Sequence, residues 1–358
     1  MKTLRIPTNL FVGLAVLALP LTTRAASVLF DFNSDPSTSG LLTLYGNSTW
    51  QPSGGVGGAT NTTDGYLSIT DAINSQRGAI VFADFDAGSV VAGFTFDADF
   101  RIGNGTAVPA DGFSINYCRA NDPVLADVAN GGNPATDGGM WACGPNCEDN
   151  LPEEGTHTGI GIGFDAWQSP QGGSPPPWCN GSCQTDPSYL GPDIVGLSVR
   201  VDGNLIAQFP MPTLNGACND PTSLQTGPRD GTGDPSILCW QHLKVALTTN
   251  AQLSVFWKGV QLLTNYQTTY FPSPGRLVFT GRTGGANENH HVDNIAITTI
   301  PASVALVGAA SGFPDGFAIT INDSGSSVIN TNAPITTKLN GSTVTPTSIT
   351  KNGGTTTV

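Results

Sequence analysis

The stretch HLKVALTTNAQLSVFWKGVQLL, residues 242–263, decides the fold class. Apolar and polar residues alternate on either side of Thr249-Asn250, the pattern of two half-buried strands joined by a turn. The same period of two recurs upstream in VLFDFN (28–33), GYLSIT (65–70), GAIVFADFD (78–86), VVAGFTFDADFRIG (90–103) and DGFSINYCRA (111–120). Downstream it returns in RLVFTGRTGG (276–285) and HVDNIAITTI (291–300), and IVGLSVRVDGNLIAQFP (194–210) carries the hairpin signal Asp202-Gly203 at its centre. The chain holds 45 Gly and 26 Pro, which punctuate these runs as turn residues do. The expectation is an all-β protein with almost no helix, folded as a large antiparallel sandwich or jelly roll.

Two excursions interrupt the strands. One runs from about Asn121 to Thr158 and the other over residues 169–193; both are too long for simple connectors in a compact domain. Between them lies GIGIGFDAW (159–167), whose alternate glycines leave one strand face nearly bare, open to a second backbone or a ligand. The excursions hold four of the seven cysteines, as CGPNC (Cys143, Cys147) and CNGSC (Cys179, Cys183), while Cys218 and Cys239 bracket a polar segment. Disulfides Cys143–Cys147, Cys179–Cys183 and Cys218–Cys239 are expected as loop staples. A four-cysteine zinc site built from the two C-x3-C pairs is the alternative. Cys118 is left over, either reduced within a strand or displacing one of those pairings.

Residues 1–25 read as a secretory signal peptide: Lys2 and Arg5, an apolar run from about Leu10 to Leu21, then small residues at Ala25 and Ala26. No later stretch approaches the ~20 apolar residues of a spanning helix, so an exported chain that does not span the membrane is expected. With 27 acidic against 14 basic residues, a net charge of −13 and no Lys/Arg cluster, nucleic acid and anionic membranes are poor partners. After about Pro301 the composition shifts to Thr, Ser, Asn and Val. FAITINDSGSSVI and TTKLNGSTVTPTSIT read as strands of a small, partial immunoglobulin-like module over residues 301–358, and TTTV stops in mid-pattern, as a fragment of a longer chain with further modules or a swapped or unsatisfied edge would.

The paired carboxylates that glycosidic hydrolysis requires are hard to find. No E-x-D-x-x-E occurs, Glu153-Glu154 are adjacent in a loop context, and Asp84/Asp86 and Asp97/Asp99 have the spacing of solvent-facing strand positions. Neither G-x-S-x-G, H-E-x-x-H nor a P-loop is present. The four histidines, His157, His242, His290 and His291, do not make a metal set by spacing.

A different set of short motifs is coherent. Ala110-Asp111-Gly112-Phe113 opens one strand, Phe164-Asp165-Ala166-Trp167 closes another, and these are followed by the hairpin 242–263 and by TGRTGGANENHHVDNIAI (280–297). Over residues 28–299 the sequence resembles the legume-type (L-type) lectins of the concanavalin A-like lectin/glucanase superfamily. The resemblance implies a concanavalin A-like jelly-roll sandwich over residues 26–300 that binds a glycan or polysaccharide through loops at one end, without catalysis. It gives Asp111 the role of accepting two sugar hydroxyls from a carboxylate held through a cis peptide, beside Gly112. Asp165 becomes a calcium ligand, with Asn180, Asp186 and Asp193 of the following loop as the other candidates. Where the family carries a transition-metal ligand this chain has Gly163, so no transition metal is expected. Gly284 and Gly285 allow close approach of a ligand, Asn287, Glu288, Asn289 and His290 offer donors and acceptors, and Trp167 offers a stacking face. Trp141 and Trp178 lie in or beside the long loops; Trp240 and Trp257 read as hairpin or core residues.

Three functions follow: a carbohydrate-binding protein, a structural or adhesive surface protein that has lost sugar binding, and a glycan-degrading enzyme. Clustering of Asp111, Asp165 and residues 284–290 at one end favours the first, scatter the second, and two carboxylates facing across an open groove the third.

Overall fold

The computed structural model describes residues 25–57, 64–136, 141–142, 150–168, 194–302, 311–313, 316–318, 320–322, 337–339, 342–353 and 355–358. The strands are β1 (Ser27–Phe30), β2 (Leu42–Gly46), β3 (Thr49–Gln51), β4 (Tyr66–Thr70), β5 (Arg77–Phe82), β6 (Val91–Gly103), β7 (Gly112–Arg119), β8 (Trp141–Ala142) and β9 (Asn150–Leu151). They continue as β10 (Ile160–Asp165), β11 (Gly196–Val201), β12 (Asn204–Pro210), β13 (Gln241–Leu247), β14 (Gln252–Trp257), β15 (Val260–Gln267), β16 (Gly275–Arg282) and β17 (Asn289–Pro301).

Two antiparallel sheets form a sandwich. The first runs β15-β14-β13-β6-β17-β4-β3 with β1 also on β17, and the second runs β12-β11-β10-β7-β16-β5-β2. Alternation in the sequence translates directly into facing. Along β6, Phe94, Phe96, Ala98, Phe100 and Ile102 are buried in the core, and Thr95, Asp97 and Asp99 point to the outer face. Aromatic rings bridge the layers: Phe96 on Phe279 (centroids 5.9 Å), Phe100 on Phe113 (5.7 Å) and on Phe164 (5.9 Å), and Trp257 on Phe164 (5.2 Å). Phe113 and Phe164 are also register partners on β7 and β10, and their rings stack at 4.6 Å with 4° between planes. Cross-strand and cross-sheet aromatic contact at these separations adds to the apolar burial itself.

The stretch 242–263 makes three strands rather than two. Besides the turn at residues 248–251, Lys258 and Gly259 adopt positive φ (48° and 75°) and close a second, two-residue hairpin between β14 and β15. Asp202 (φ 48°) and Gly203 (φ 74°) close the β11–β12 hairpin at the position expected. The excursion after Asn121 starts with a helix, α1 (Pro123–Ala129), where only loop was expected. Asp122 caps it by accepting from the Val124 N–H, Pro123 follows, and Val124 and Leu125 bury against Val81, Cys118 and Val278.

Cys218 and Cys239 are bonded (Cα–Cα 5.4 Å), and Cys118 is buried and unpaired in β7. Cys143, Cys147, Cys179 and Cys183, with their disulfide or zinc readings, lie outside the described residues. Beyond Pro301 the described residues form short antiparallel ladders: β18 (Ser311–Phe313) with β19 (Gly316–Ala318), β24 (Thr355–Thr357) with β20 (Thr320–Asn322) and β23 (Thr350–Asn352), and β21 (Thr337–Leu339) with β22 (Ser342–Val344). No helix among the described residues is long and apolar enough to cross a membrane.

The aromatic bridge carries a stability prediction. Phe164→Ala removes the ring that Phe100, Phe113 and Trp257 share and should lower the unfolding free energy by about 3–5 kcal/mol in chemical denaturation. A loss under about 1 kcal/mol would mean that the sheets do not pack through this residue.

Candidate functional site

At one end of the sandwich three strand termini of the second sheet meet. Gly112 begins β7, Asp165 ends β10 and Arg282 ends β16, and Gly112 pairs in register with both of the others. The peptide bond Ala110–Asp111 just before β7 is cis. Asp111 is held on both sides by main chain: its N–H donates to the Arg282 carbonyl (3.2 Å) and its carbonyl accepts from the Ala166 N–H (2.8 Å). Its carboxylate keeps part of its surface in solvent, at 16% side-chain exposure, and Oδ2 lies 3.7 Å from Arg282 Nε.

Gly284 closes the other wall. A Cβ there would sit 3.0 Å from Asp111 Oδ2, so only glycine lets this backbone come so near the carboxylate without displacing it. The Gly284 carbonyl accepts from the Ser75 N–H (3.0 Å), and the Thr283 hydroxyl donates to the Ile73 carbonyl (2.5 Å), tying this turn to residues 73–76. Asn287 is half-buried. Its amide N–H donates to Thr106 Oγ1 (3.0 Å) and its side-chain Nδ2 donates to Asn74 Oδ1 (2.5 Å), which joins the loop preceding Asp111 to the same rim. Gly285 is exposed at the tip, and Trp167 is 40% exposed two residues after Asp165. The structure thus brings together Asp111, Gly112, Asp165, Trp167, Gly284, Gly285 and Asn287.

Glu288, Asn289 and His290 are placed differently from the expectation that they meet a ligand. All three are buried, because β17 begins at Asn289 and carries them into the sandwich rather than along its rim. Glu288 Oε2 accepts from Gln225 Nε2 (2.9 Å), and its Oε1 lies 3.3 Å from His290 Nε2. His290 Nδ1 is 2.7 Å from Thr70 Oγ1, and its ring packs 5.0 Å from that of Phe113. Asn289 donates to the Gly103 and Gly233 carbonyls and accepts from the Ala72 N–H. Their polar groups serve the fold beneath the rim. Gln225 is itself held in place by Lys258, whose Nζ donates to the carbonyls of Asp220, Ser223 and Gln225 at 3.0, 2.8 and 2.6 Å.

The bare face of β10 meets another backbone. Pro152, Glu153 and Glu154 form a 3-10 turn against the outer face of the second sheet, and side chains at Gly112 or Gly163 would run into the Phe164 and Glu153 carbonyls. Glu153 and Glu154 are buried, each against an arginine: Arg282 gives Glu153 two hydrogen bonds (2.7 and 3.1 Å), and Arg200 pairs with Glu154. The other closely spaced carboxylates are engaged too. Asp97 and Asp99 share the two ring nitrogens of His242, Asp84 accepts from the Asp86 and Gly88 N–H groups, and Asp86 accepts from Thr299. Each of these carboxylates is thus engaged by a neighbouring group.

Calcium would take six to eight oxygens. Asp165 is buried and its Oδ1 already accepts from the Trp167 N–H (2.9 Å); Asn180, Asp186 and Asp193 lie outside the described residues. Among the described residues no group of three or more His, Cys, Asp or Glu side chains is arranged to hold a metal. The donor set shown does not fit calcium without further ligands. Trp178 lies outside the described residues, Trp257 is fully buried in the core, and Trp240 stacks on the Arg101 guanidinium, which Tyr66 covers from its own side at the same 4.5 Å.

No family model matches the sequence, and no curated protein matches it. Solved structures are similar to it at low identity. The VIP36 exoplasmic/lumenal domain in its Ca2+/Man3GlcNAc-bound form is 13% identical, over 81% of this chain and 91% of that one, with a TM-score of 0.43. Lectin II from Ulex europaeus is 14% identical over 76% and 97% (TM-score 0.45), and the lectin from Bauhinia forficata in complex with GalNAc is 14% identical over 78% and 100% (TM-score 0.43).

Next to this end, His291 is fully buried, with Nε2 3.0 Å from Asp71 Oδ1 and Nδ1 3.1 Å from Arg101 Nη2. Burial pushes its pKa down to about 4, the neighbouring Arg101 charge acting in the same direction against the pull of Asp71. Asp293, buried two residues on, is pushed up by burial to about 6. The signs oppose. Between pH ~6.5 and about 4 the unfolded chain binds a proton that folded His291 refuses, so this group lowers stability as pH falls. Folded Asp293 holds a proton that the unfolded chain releases between about pH 6 and ~3.8, so it raises stability over most of the same window. A variant separates them. His291→Gln should cost stability at pH 7, and the deficit should shrink by about 3 kcal/mol by pH 4, as read by denaturant unfolding at each pH. A deficit that stays constant over that range would show that His291 is not held neutral.

Proposed function

We propose that the protein is an exported, non-catalytic glycan-binding protein whose site is the rim formed by Asp111, Gly112, Trp167, Gly284, Gly285 and Asn287. The observation that carries this reading is a partly solvated carboxylate at the end of the sandwich, with a glycine backbone set close against it. A sugar hydroxyl leaves water only where its hydrogen bonds are replaced. A carboxylate accepting from two adjacent hydroxyls does so with charge-assisted bonds about twice as strong as neutral ones. Asn287 and the exposed main chain at Gly285 add polar groups, and Trp167 adds an exposed aromatic face suited to the C–H side of a pyranose. The same features quoted from the sequence, ADGF and FDAW, are those that resemble the L-type lectins.

Residues 1–25 serve as the export signal in this reading, and residues 301–358 as a small immunoglobulin-like spacer or anchor. Calcium belongs to it only through Asp165 with Asn180, Asp186 and Asp193, and no contact to the sugar is assigned to the ion.

A glycan array probed with and without calcium identifies the ligand, and calorimetry then tests the site. Losing the Asp111 acceptor should cost on the order of 2 kcal/mol. Asp111→Asn is therefore expected to weaken binding at least tenfold while leaving the thermal midpoint nearly unchanged. Equal binding by the wild type and this variant would remove Asp111 from the site, and an array on which the wild type binds nothing would favour a structural or adhesive role.

A further inference from the structure

We propose that Arg282, clamped by Glu153, is the positioning residue of Asp111: one guanidinium shared between two carboxylates fixes the pose and charge of the ligand-facing one. The inference rests on the glycan-site reading of Asp111 and adds to it two residues that touch no ligand. Neither the spacing of the sequence motifs nor the lectin resemblance assigns them a role.

The geometry is specific. Arg282 is the register partner of Gly112, so its Cα is fixed beside the start of β7, and its carbonyl already holds the Asp111 N–H at 3.2 Å. Its side chain is 13% exposed, and Nε and Nη2 reach Glu153 Oε2 and Oε1 at 3.1 and 2.7 Å, the forked arrangement that a guanidinium makes and an ammonium cannot. Glu153 is 5% exposed, so removing its partner would leave a buried charge uncompensated. The same Nε is 3.7 Å from Asp111 Oδ2, within reach of charge–charge attraction and too far for a full hydrogen bond. Gly112 makes the arrangement possible, because a Cβ there would come within 3.0 Å of Glu153 Cβ.

Glu153 therefore divides the guanidinium. Held by Glu153, Arg282 stays 3.7 Å from Asp111 Oδ2 and acts on its charge from that distance. Released from Glu153, it can swing onto Asp111 and compete with the ligand. Asp165, the other register partner of Gly112, is the remaining charged group on these strand ends, and the Gly284 backbone faces the carboxylate from the opposite wall.

Two measurements test the proposal. In calorimetry with the array-positive glycan, Glu153→Gln should weaken binding about tenfold in the wild-type background and have no further effect on binding in the Asp111→Asn background, while its effect on the thermal midpoint persists in both. Equal losses of affinity in the two backgrounds would reduce Glu153 to a structural role. The second measurement needs no sugar: the Asp111 carboxyl carbon, assigned by its absence from the NMR spectrum of Asp111→Asn, is titrated in the wild type and in Arg282→Gln. The expected outcome is a midpoint about one pH unit higher in the variant, and an unmoved midpoint overturns the proposal whatever the array shows. Should Arg282→Gln fail to fold, Arg282→Lys keeps the charge but not the fork; the wild-type pattern of Asp111 and Glu153 carboxyl shifts in that variant would overturn the proposal equally. A wild type that binds no glycan while the midpoint moves as expected refutes the glycan reading and leaves the positioning role standing.

Discussion

The stacking of Phe113 on Phe164 is the constraint on which both the sandwich and its candidate site depend. These two rings are register partners within one sheet, and through Phe100 and Trp257 they also form a contact between the sheets. Each lies one or two residues from a site residue: Phe113 follows Asp111-Gly112, and Phe164 precedes Asp165-Ala166-Trp167. Burial of the rings holds the strands in register up to their ends, and the ends are where the backbone of Asp111 is fixed by Arg282 on one side and Ala166 on the other. Packing in the core is thus converted into the placement of a carboxylate at the rim.

Around that frame the sparse charges are handled by pairing. The 3-10 turn at residues 152–154 lies on the outer face of the second sheet because Gly112 and Gly163 leave room for it, and it brings Glu153 and Glu154 to Arg282 and Arg200. On the first sheet Arg101 packs against both Tyr66 and Trp240 and donates to the Gly54 carbonyl, while His291 bridges it to Asp71. Such buried groups are costly when broken and add little when intact, so their value lies in fixing one arrangement of loops. The carboxylate of Asp111 is the contrast: it is near a guanidinium, yet it keeps part of its surface in solvent.

The fold was legible in the sequence because period two is a local property. VVAGFTFDADFRIG declares its inner and outer faces without reference to anything else, and Asp202-Gly203 declares its turn. The helix at residues 123–129 was missed because seven residues give too short a window for helical periodicity, although Asp122 and Pro123 carried the start signal. The motifs singled out Asp111, Gly284, Trp167 and Asn287, which the structure gathers at one end of the sandwich, but not the burial of Glu288, Asn289 and His290, since polarity does not say whether a donor faces water or a buried partner. Glu288 directly precedes β17, whose first residues are buried on both faces, and the partners of Glu288 and His290, Gln225 and Thr70, are remote in sequence. Arg282 and Glu153 were missed for the same reason. The available hint was a second arginine closing the strand RLVFTGR, in a chain with only 14 basic residues, where such a charge calls for a partner.

The central claim is that a pyranose sits on the Asp111 carboxylate at this end of the sandwich. A crystal structure of the protein with an array-positive oligosaccharide tests it most directly. The account predicts two adjacent ring hydroxyls within hydrogen-bond reach of Asp111, with the backbone of Gly284 beside them and Trp167 against the sugar face. Density for the sugar on any other surface, with Asp111 left to solvent, would contradict it.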